Sequence, residues 1–314
     1  MQYSIPSPLP LEAFLGPLLR AEDALARFDE RLRGSPKPLA EGFCSRILFH
    51  EICAEQRLEG LLVHLEDLAL FAAGAFDGPT SPELSAAHEA LQLWRRAAKA
   101  KASPLLLSPR PGETVSATEP LQNPPEFFFD PDWNEPARLA VWRGVLHESR
   151  NLPPVLAAAL AWDAWLFAQP DQRGAWRAPL IAALVLKARK KTEAFLLPLA
   201  LGRRPAEYRD AGKPFEVRIE GFCGLVVDAV QRCEKELANL SLVRNLLDVK
   251  VARRRRNSRL PELADLLLAH PVVSLRMVAR RLEVSPEGAR KLILDLGSII
   301  REVSGRKRYR VWCV

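Results

Sequence analysis

Ser274 and the dipeptide Ser285-Pro286 each stand directly before a short run with helical apolar spacing. A serine at an N-cap accepts a hydrogen bond from a first-turn backbone N–H, and proline is pre-set for the first helical position. The first run places Leu275, Val278, Ala279 and Leu282 on one face. The second places Ala289, Leu292, Ile293 and Leu296 there and ends at Gly297. Ahead of both, residues 260–269 carry Leu260, Leu263, Leu266 and Leu267 on one face and are stopped by His270-Pro271. Behind them, residues 299–303 and 309–314 flank a Ser304-Gly305 turn with Arg306, Lys307 and Arg308, which is the pattern of a β-hairpin. Three short helices and a hairpin confined to residues 257–314 imply a winged helix-turn-helix.

In such a domain the second helix of the turn motif enters the major groove and its N-terminal residues face the base edges. Ser285, Glu287, Arg290 and Lys291 fall there, and the two long cations can reach guanine O6 and N7 or phosphate. Arg276, on the preceding helix, and the wing residues Arg306, Lys307 and Arg308 are candidates for backbone contact. So are Arg254 and Arg255, within the run of four arginines that precedes the domain.

The charge supports this placement. Residues 251–314 hold 15 Lys and Arg against 6 Asp and Glu, a net charge of +9, while the whole chain carries +7. The other 250 residues therefore sum to −2. A basic appendage on a near-neutral body implies an anionic partner, here double-stranded DNA.

The remaining sequence reads as helical. Residues 11–32 place Leu11, Phe14, Leu18, Ala21, Leu25 and Phe28 at helical spacing. Further helices are expected over 42–59, 63–74, 81–101, 135–150, 153–167, 175–189, 192–201 and 214–256. Strict alternation is confined to the C-terminal positions. The organisation expected is an N-terminal helical region over 1–102, a connector with eight prolines over 103–137, a helical core with a long helix over 138–256, and the winged helix over 257–314. The fold class is mostly α. In the long helix, Phe222, Leu225, Val226, Ala229, Val230, Cys233, Leu237, Leu240 and Val243 fit a dimer seam, a strut or intramolecular packing equally well.

Several function classes find no support. No 18-residue apolar run without charge is present, so no membrane span is expected. The N-terminus has no signal-peptide pattern, and a cytoplasmic location is expected. The five cysteines are odd in number, scattered and without a CxxC, which suits buried free thiols. The dispersed histidines offer no metal-ligand spacing. The motifs for a P-loop, a dinucleotide fold, a zinc protease and a hydrolase elbow are absent. No cofactor and no metal are expected.

Three segments are similar to Fic-domain proteins that carry a C-terminal winged helix. They are HPVVSLRMVARRLEVSPEGARKLILDL with IIREVSGRKRYRVWCV, then EQRLEGLLVHLEDL, and LPPVLAAALAWDAWLFAQPDQRGAWRAPLIAALVL. The resemblance implies an all-helical Fic-like body and places Glu59 on the family's inhibitory glutamate. It also lays the active-site pattern HPFx[D/E]GNGRxxR on residues 169–180. Pro170, Gly174 and Arg177 match that pattern. Gln169 stands where the family has its proton-accepting histidine, and glutamine takes up no proton near neutral pH. Arg173 reverses the charge of the metal-binding carboxylate. Ala175 and Trp176 replace a phosphate-cradling Asn-Gly, and Leu180 replaces the arginine that Glu59 would engage.

The reading is a catalytically inactive Fic-like scaffold attached to a winged helix that binds duplex DNA sequence-specifically as a transcriptional regulator. A homodimer is expected, since a two-fold pair of such domains reads a two-fold site. Two alternatives are a divergent Fic-type nucleotidyl (AMP) transferase and a non-enzymatic regulator acting on a protein partner.

Overall fold

The computed structural model describes residues 3–76, 78–100, 133–170, 177–202, 212–252, 258–303 and 310–314. They are mostly helical, as the periodicity predicts. The elements in order are α1 (Leu11–Arg33), α2 (Lys37–Leu58), α3 (Leu65–Ala72), α4 (Pro82–Lys99), α5 (Glu135–Glu148), α6 (Pro154–Ala168), α7 (Arg177–Ala188), α8 (Leu199–Gly202), α9 (Phe215–Ala252), α10 (Leu260–Ala269), β1 (Val273–Ser274), α11 (Leu275–Leu282), α12 (Pro286–Leu296), β2 (Arg301–Glu302) and β3 (Val311–Cys313). Among the described residues, no helix is long and apolar enough to cross a membrane. The expected connector falls largely on 101–132, outside the described residues.

The chain forms two compact units. One takes in Met1–Asp29 and Leu93–Val230, the other Glu30–Gln92 and Gln231–Val314. The first is built round α6, whose sequence PVLAAALAWDAWLFA is apolar on every side and is buried to match. α5 and α7 flank it. Trp142 and Trp165 meet edge to face at 5.2 Å, and the Trp142 indole N–H donates to the Ala161 carbonyl. Asp163, the one charged residue of α6, is held by Arg218 in two hydrogen bonds of 2.7 and 2.8 Å and accepts a third from the Tyr3 hydroxyl at 2.7 Å. Burial, with Asp163 adding to it, pushes the Tyr3 hydroxyl far above its ordinary range. Glu22 accepts from the Val155 N–H in the first turn of α6, where a carboxylate is favoured, and pairs with Lys191.

One expectation about this unit changes. Residues 192–201 were expected to be helical, but only Leu199–Gly202 are. Pro198 disfavours the helical conformation at Leu197. The segment instead runs irregular and buries Phe195, Leu196 and Leu197, with the Ala194 N–H donating to Asp29. Along α9, which runs from the first unit into the second, Phe222, Val226, Ala229, Val230, Cys233, Leu237 and Leu240 are buried within the single chain, so that face packs intramolecularly. The five cysteines are free, and burial pushes Cys53 up to about 11 and Cys223 up to about 12.

In the second unit α10 crosses α2 so closely that only glycine fits at position 42. A Cβ there would stand 1.9 Å from the Leu268 carbonyl oxygen. One turn on, Arg46 reaches the C-terminal end of α10 and donates to the carbonyls of Leu268, Leu267 and His270 at 2.6, 2.9 and 2.9 Å. The last carbonyls of a helix have no partner within it, and a cation there also meets the negative end of the helix dipole. Burial pushes the Arg46 guanidinium down to about 10, which leaves it charged at neutral pH.

Candidate nucleic-acid interface

Elements α10, β1, α11, α12, β2 and β3 surround one apolar cluster that includes Leu260, Leu263, Leu267, Val278, Ile293 and Leu296. The three strands pair antiparallel in the order β1-β3-β2, with Val273 opposite Trp312 and Arg301 opposite Cys313. β1 has no counterpart among the expected strands. Two residues are too short for an alternation to show, and it exists only because β3 returns beside it. β2 is also shorter than the expected 299–303, because Gly297–Ile299 close a 3₁₀ turn first.

Both predicted caps form. Ser274 Oγ accepts from the Met277 N–H at 3.2 Å, and Ser285 Oγ accepts from the Gly288 N–H at 3.1 Å. The turn between α11 and α12 passes through Glu283, which adopts a left-handed conformation with φ of 53°. This tight turn fixes the second helix against the first, and α12 then divides cleanly. Ala289, Ile293 and Leu296 face the cluster. Glu287, Arg290, Lys291 and Leu294 are exposed at the i, i+3, i+4, i+7 spacing of one helix face, with Ser285 exposed at its head. Arg276 is exposed on α11, and so are Arg280 and Arg281. The structure therefore brings Ser285, Glu287, Arg290 and Lys291 onto one surface of one element.

Arg254, Arg255, Arg306, Lys307 and Arg308 lie outside the described residues. In the segment likened to the Fic loop, Gln169 ends α6 in a left-handed conformation (φ of 42°), Pro170 is buried, and its carbonyl accepts from the Trp133 indole N–H at 3.2 Å. Arg177 opens α7, while Arg173 and Gly174 lie outside the described residues. Glu59 ends α2 in the second unit, whereas Gln169 and Arg177 belong to the first. No group of His, Cys, Asp and Glu among the described residues could hold a metal ion.

Sequence reasoning missed two contributors. Leu294 is 69% exposed at the C-terminal end of the α12 face, and its i+7 relation to Glu287 was visible in the sequence. Arg46 gave no signal. Its partners are main-chain carbonyls more than 220 positions away, and carbonyls leave no mark on a sequence.

Comparison with known proteins decides the family. Residues 260–314 match the model of an HTH DNA binding domain, and residues 127–252 match that of a protein of unknown function, DUF1612. The whole chain is similar to the protein y4cF of Sinorhizobium fredii (strain NBRC 101917 / NGR234). The two are 30% identical over 374 aligned positions that take in 96% of this chain and 97% of that protein. The chain belongs to the y4cF family. In this chain the DUF1612 region precedes the HTH DNA-binding domain, and α10–β3 are that domain.

Proposed function

We propose that this y4cF-family chain is a bacterial, cytoplasmic transcriptional regulator that binds duplex DNA sequence-specifically. The observation that carries the reading is the exposed face of α12, with a polar and cationic row at its N-terminal end, while Ala289, Ile293 and Leu296 are turned inward. Arg290 and Lys291 supply donors to guanine or phosphate, Glu287 can accept from cytosine N4, and Leu294 can meet a thymine methyl. Arg276, Arg280 and Arg281 on α11 are placed for the phosphate backbone, which that helix crosses in such domains. Arg254, Arg255, Arg306, Lys307 and Arg308 add to the electrostatic attraction.

The reading includes a homodimer. On α9, Leu242, Leu246 and Val249 stand out at 63%, 57% and 56% exposure with i, i+4, i+7 spacing, just ahead of the DNA-binding domain. A second copy is the occupant such a row requires if two winged helices are to read a two-fold site. The helical body is, in this reading, a Fic-like scaffold without transferase chemistry, and the chain is not an enzyme. The support is the residue set of the loop, in which Gln169 has no basicity to offer and serves as the end of α6. Introducing histidine at that position (Gln169→His) is expected to leave labelled-nucleotide incorporation at background.

The test is fluorescence anisotropy of the full chain on the duplex upstream of its own gene and on an unrelated duplex, across a salt series, beside Arg290→Ala. Removal of the C-terminal domain is a poor control, since α10 packs on α2 and its loss would expose that face. Preferential binding weakened in the variant supports the reading. Equal weak binding to both duplexes, with no site recovered from random sequence, sinks it in favour of a regulator that acts through a protein partner.

A further inference from the structure

A cavity of about 300 Å³ lies within the second unit, at the root of the wing. Its apolar wall is formed by Phe49 of α2, Leu240 and Val243 of α9, Val272 beside β1, and Val303 where β2 ends. This volume sits at the lower end of small-molecule sites, which are mostly apolar with a few placed polar groups. We propose that this cavity binds a small organic cation, an ammonium group on a compact apolar body, and that its occupancy changes DNA affinity.

The sign of the ligand follows from which lining charges are already engaged. Arg46 donates its terminal nitrogens to four main-chain carbonyls. Arg301 is paired with Glu66. Glu236 is different: its one ion-pairing neighbour among the described residues is His50 Nε2, at 3.9 Å. Burial holds His50 below its usual range, with Arg46 adding to the effect against Glu236, so the imidazole is neutral at neutral pH. The cavity thus presents a carboxylate, 80% of whose side-chain surface is covered, beside a neutral imidazole and the Asn239 amide. Arg46 lies near enough for Glu236 to favour its charge but spends its terminal nitrogens on carbonyls. Among the described residues no hydrogen-bonded lysine or arginine therefore occupies the carboxylate, and an ammonium guest can contact it directly where an anion cannot.

The position of the cavity supplies the coupling, and this half rests on the DNA-binding reading. Val303 and Cys313 belong to the two arms of the wing, whereas Phe49, Leu240 and Val243 belong to α2 and α9. A guest touching both sets binds better to one placement of the wing than to another. That differential affinity is what shifts a conformational equilibrium.

The experiment titrates 2-phenylethylamine and 3-phenylpropanoate into the full chain by calorimetry, then repeats the DNA anisotropy at saturating amine. Expected are binding of the amine alone, a loss of about tenfold or more in Glu236→Gln, and loss of binding in Ala69→Met, which fills the cavity from a small wall residue. Thermal melts report whether either variant still folds. An unchanged amine isotherm in Glu236→Gln, preference for the carboxylate, or no binding by either probe overturns the site. Amine binding that leaves DNA affinity unchanged overturns the coupling. A chain that ignores DNA altogether defeats the regulator reading while the isotherms still decide the site.

Discussion

Helices α6 and α12 use the same backbone for opposite ends. α6 is buried along nearly its whole length, only Phe167 being exposed, and its single charge, Asp163, is consumed by Arg218 and Tyr3. α12 buries only Ala289, Ile293 and Leu296 and leaves Glu287, Arg290, Lys291 and Leu294 to solvent. A helix surrounded by protein can only hold the fold. A helix with one free face can read a partner, and its contacts there add little to stability. Substitutions in the two regions should therefore separate, with large stability effects and unchanged DNA specificity in one, and the reverse in the other.

The severest test of that division is Arg46→Met. It is a buried residue in the second unit, yet it serves the DNA-binding domain by holding the end of α10. Removing it leaves several buried carbonyls without donors at once, for an expected loss of about 4 kcal/mol. Chemical denaturation measures the loss, and amide exchange should quicken first in the last turn of α10. A variant as stable as the parent would mean that α10 docks through Gly42 and apolar contact alone.

Asp163→Ala belongs to the first unit. It strands the Arg218 guanidinium, whose side chain is only 22% exposed, beside a Tyr3 hydroxyl that has lost its acceptor. The expected cost is about 3 kcal/mol. DNA affinity per folded molecule should not change, and a specific loss of binding in the folded variant would break the division between the two helices.

Arg290→Ala should invert that result. Thermal stability should stay within about 0.5 kcal/mol of the parent, while discrimination at one base position relaxes by about 1–3 kcal/mol. Leu294→Ala should act more weakly, and only where a thymine is preferred. Competition binding with single-base operator variants resolves both. A loss that is equal on every duplex would move Arg290 from base edge to phosphate.

These contrasts also show what the sequence could and could not reveal. Ser274, Ser285-Pro286 and Gly297 mark helix ends through local hydrogen bonds and backbone preference, so α11 and α12 were legible to the residue. The exposed face of α12 follows from spacing once the helix is known. β1 was not legible, because a two-residue strand is created by its partner. Residues 192–198 imitate a helix in sequence because apolar spacing looks alike in a buried helix and a buried irregular segment, and Pro198 is the one local signal against it. Arg46, the bond between α2 and α10, and the cavity beside it depend on elements far apart in the chain and leave no local pattern.

The smallest expected effect concerns the turn that sets α12 against α11. Glu283 holds φ at 53°, a conformation in which a side chain crowds its own backbone and glycine does not. Glu283→Gly should therefore relieve local strain in the folded state, but it also frees the unfolded chain, and the two oppose each other. Because left-handed helix ends favour glycine strongly, relief should prevail, with a net gain of about 0.5 kcal/mol. The informative outcome is the pairing of two measurements. A small rise in melting temperature with unchanged operator preference places the turn with the scaffold, beside α6. A shift in preference at unchanged stability places it with the reading face, because the angle at which α12 is presented would then be set by Glu283.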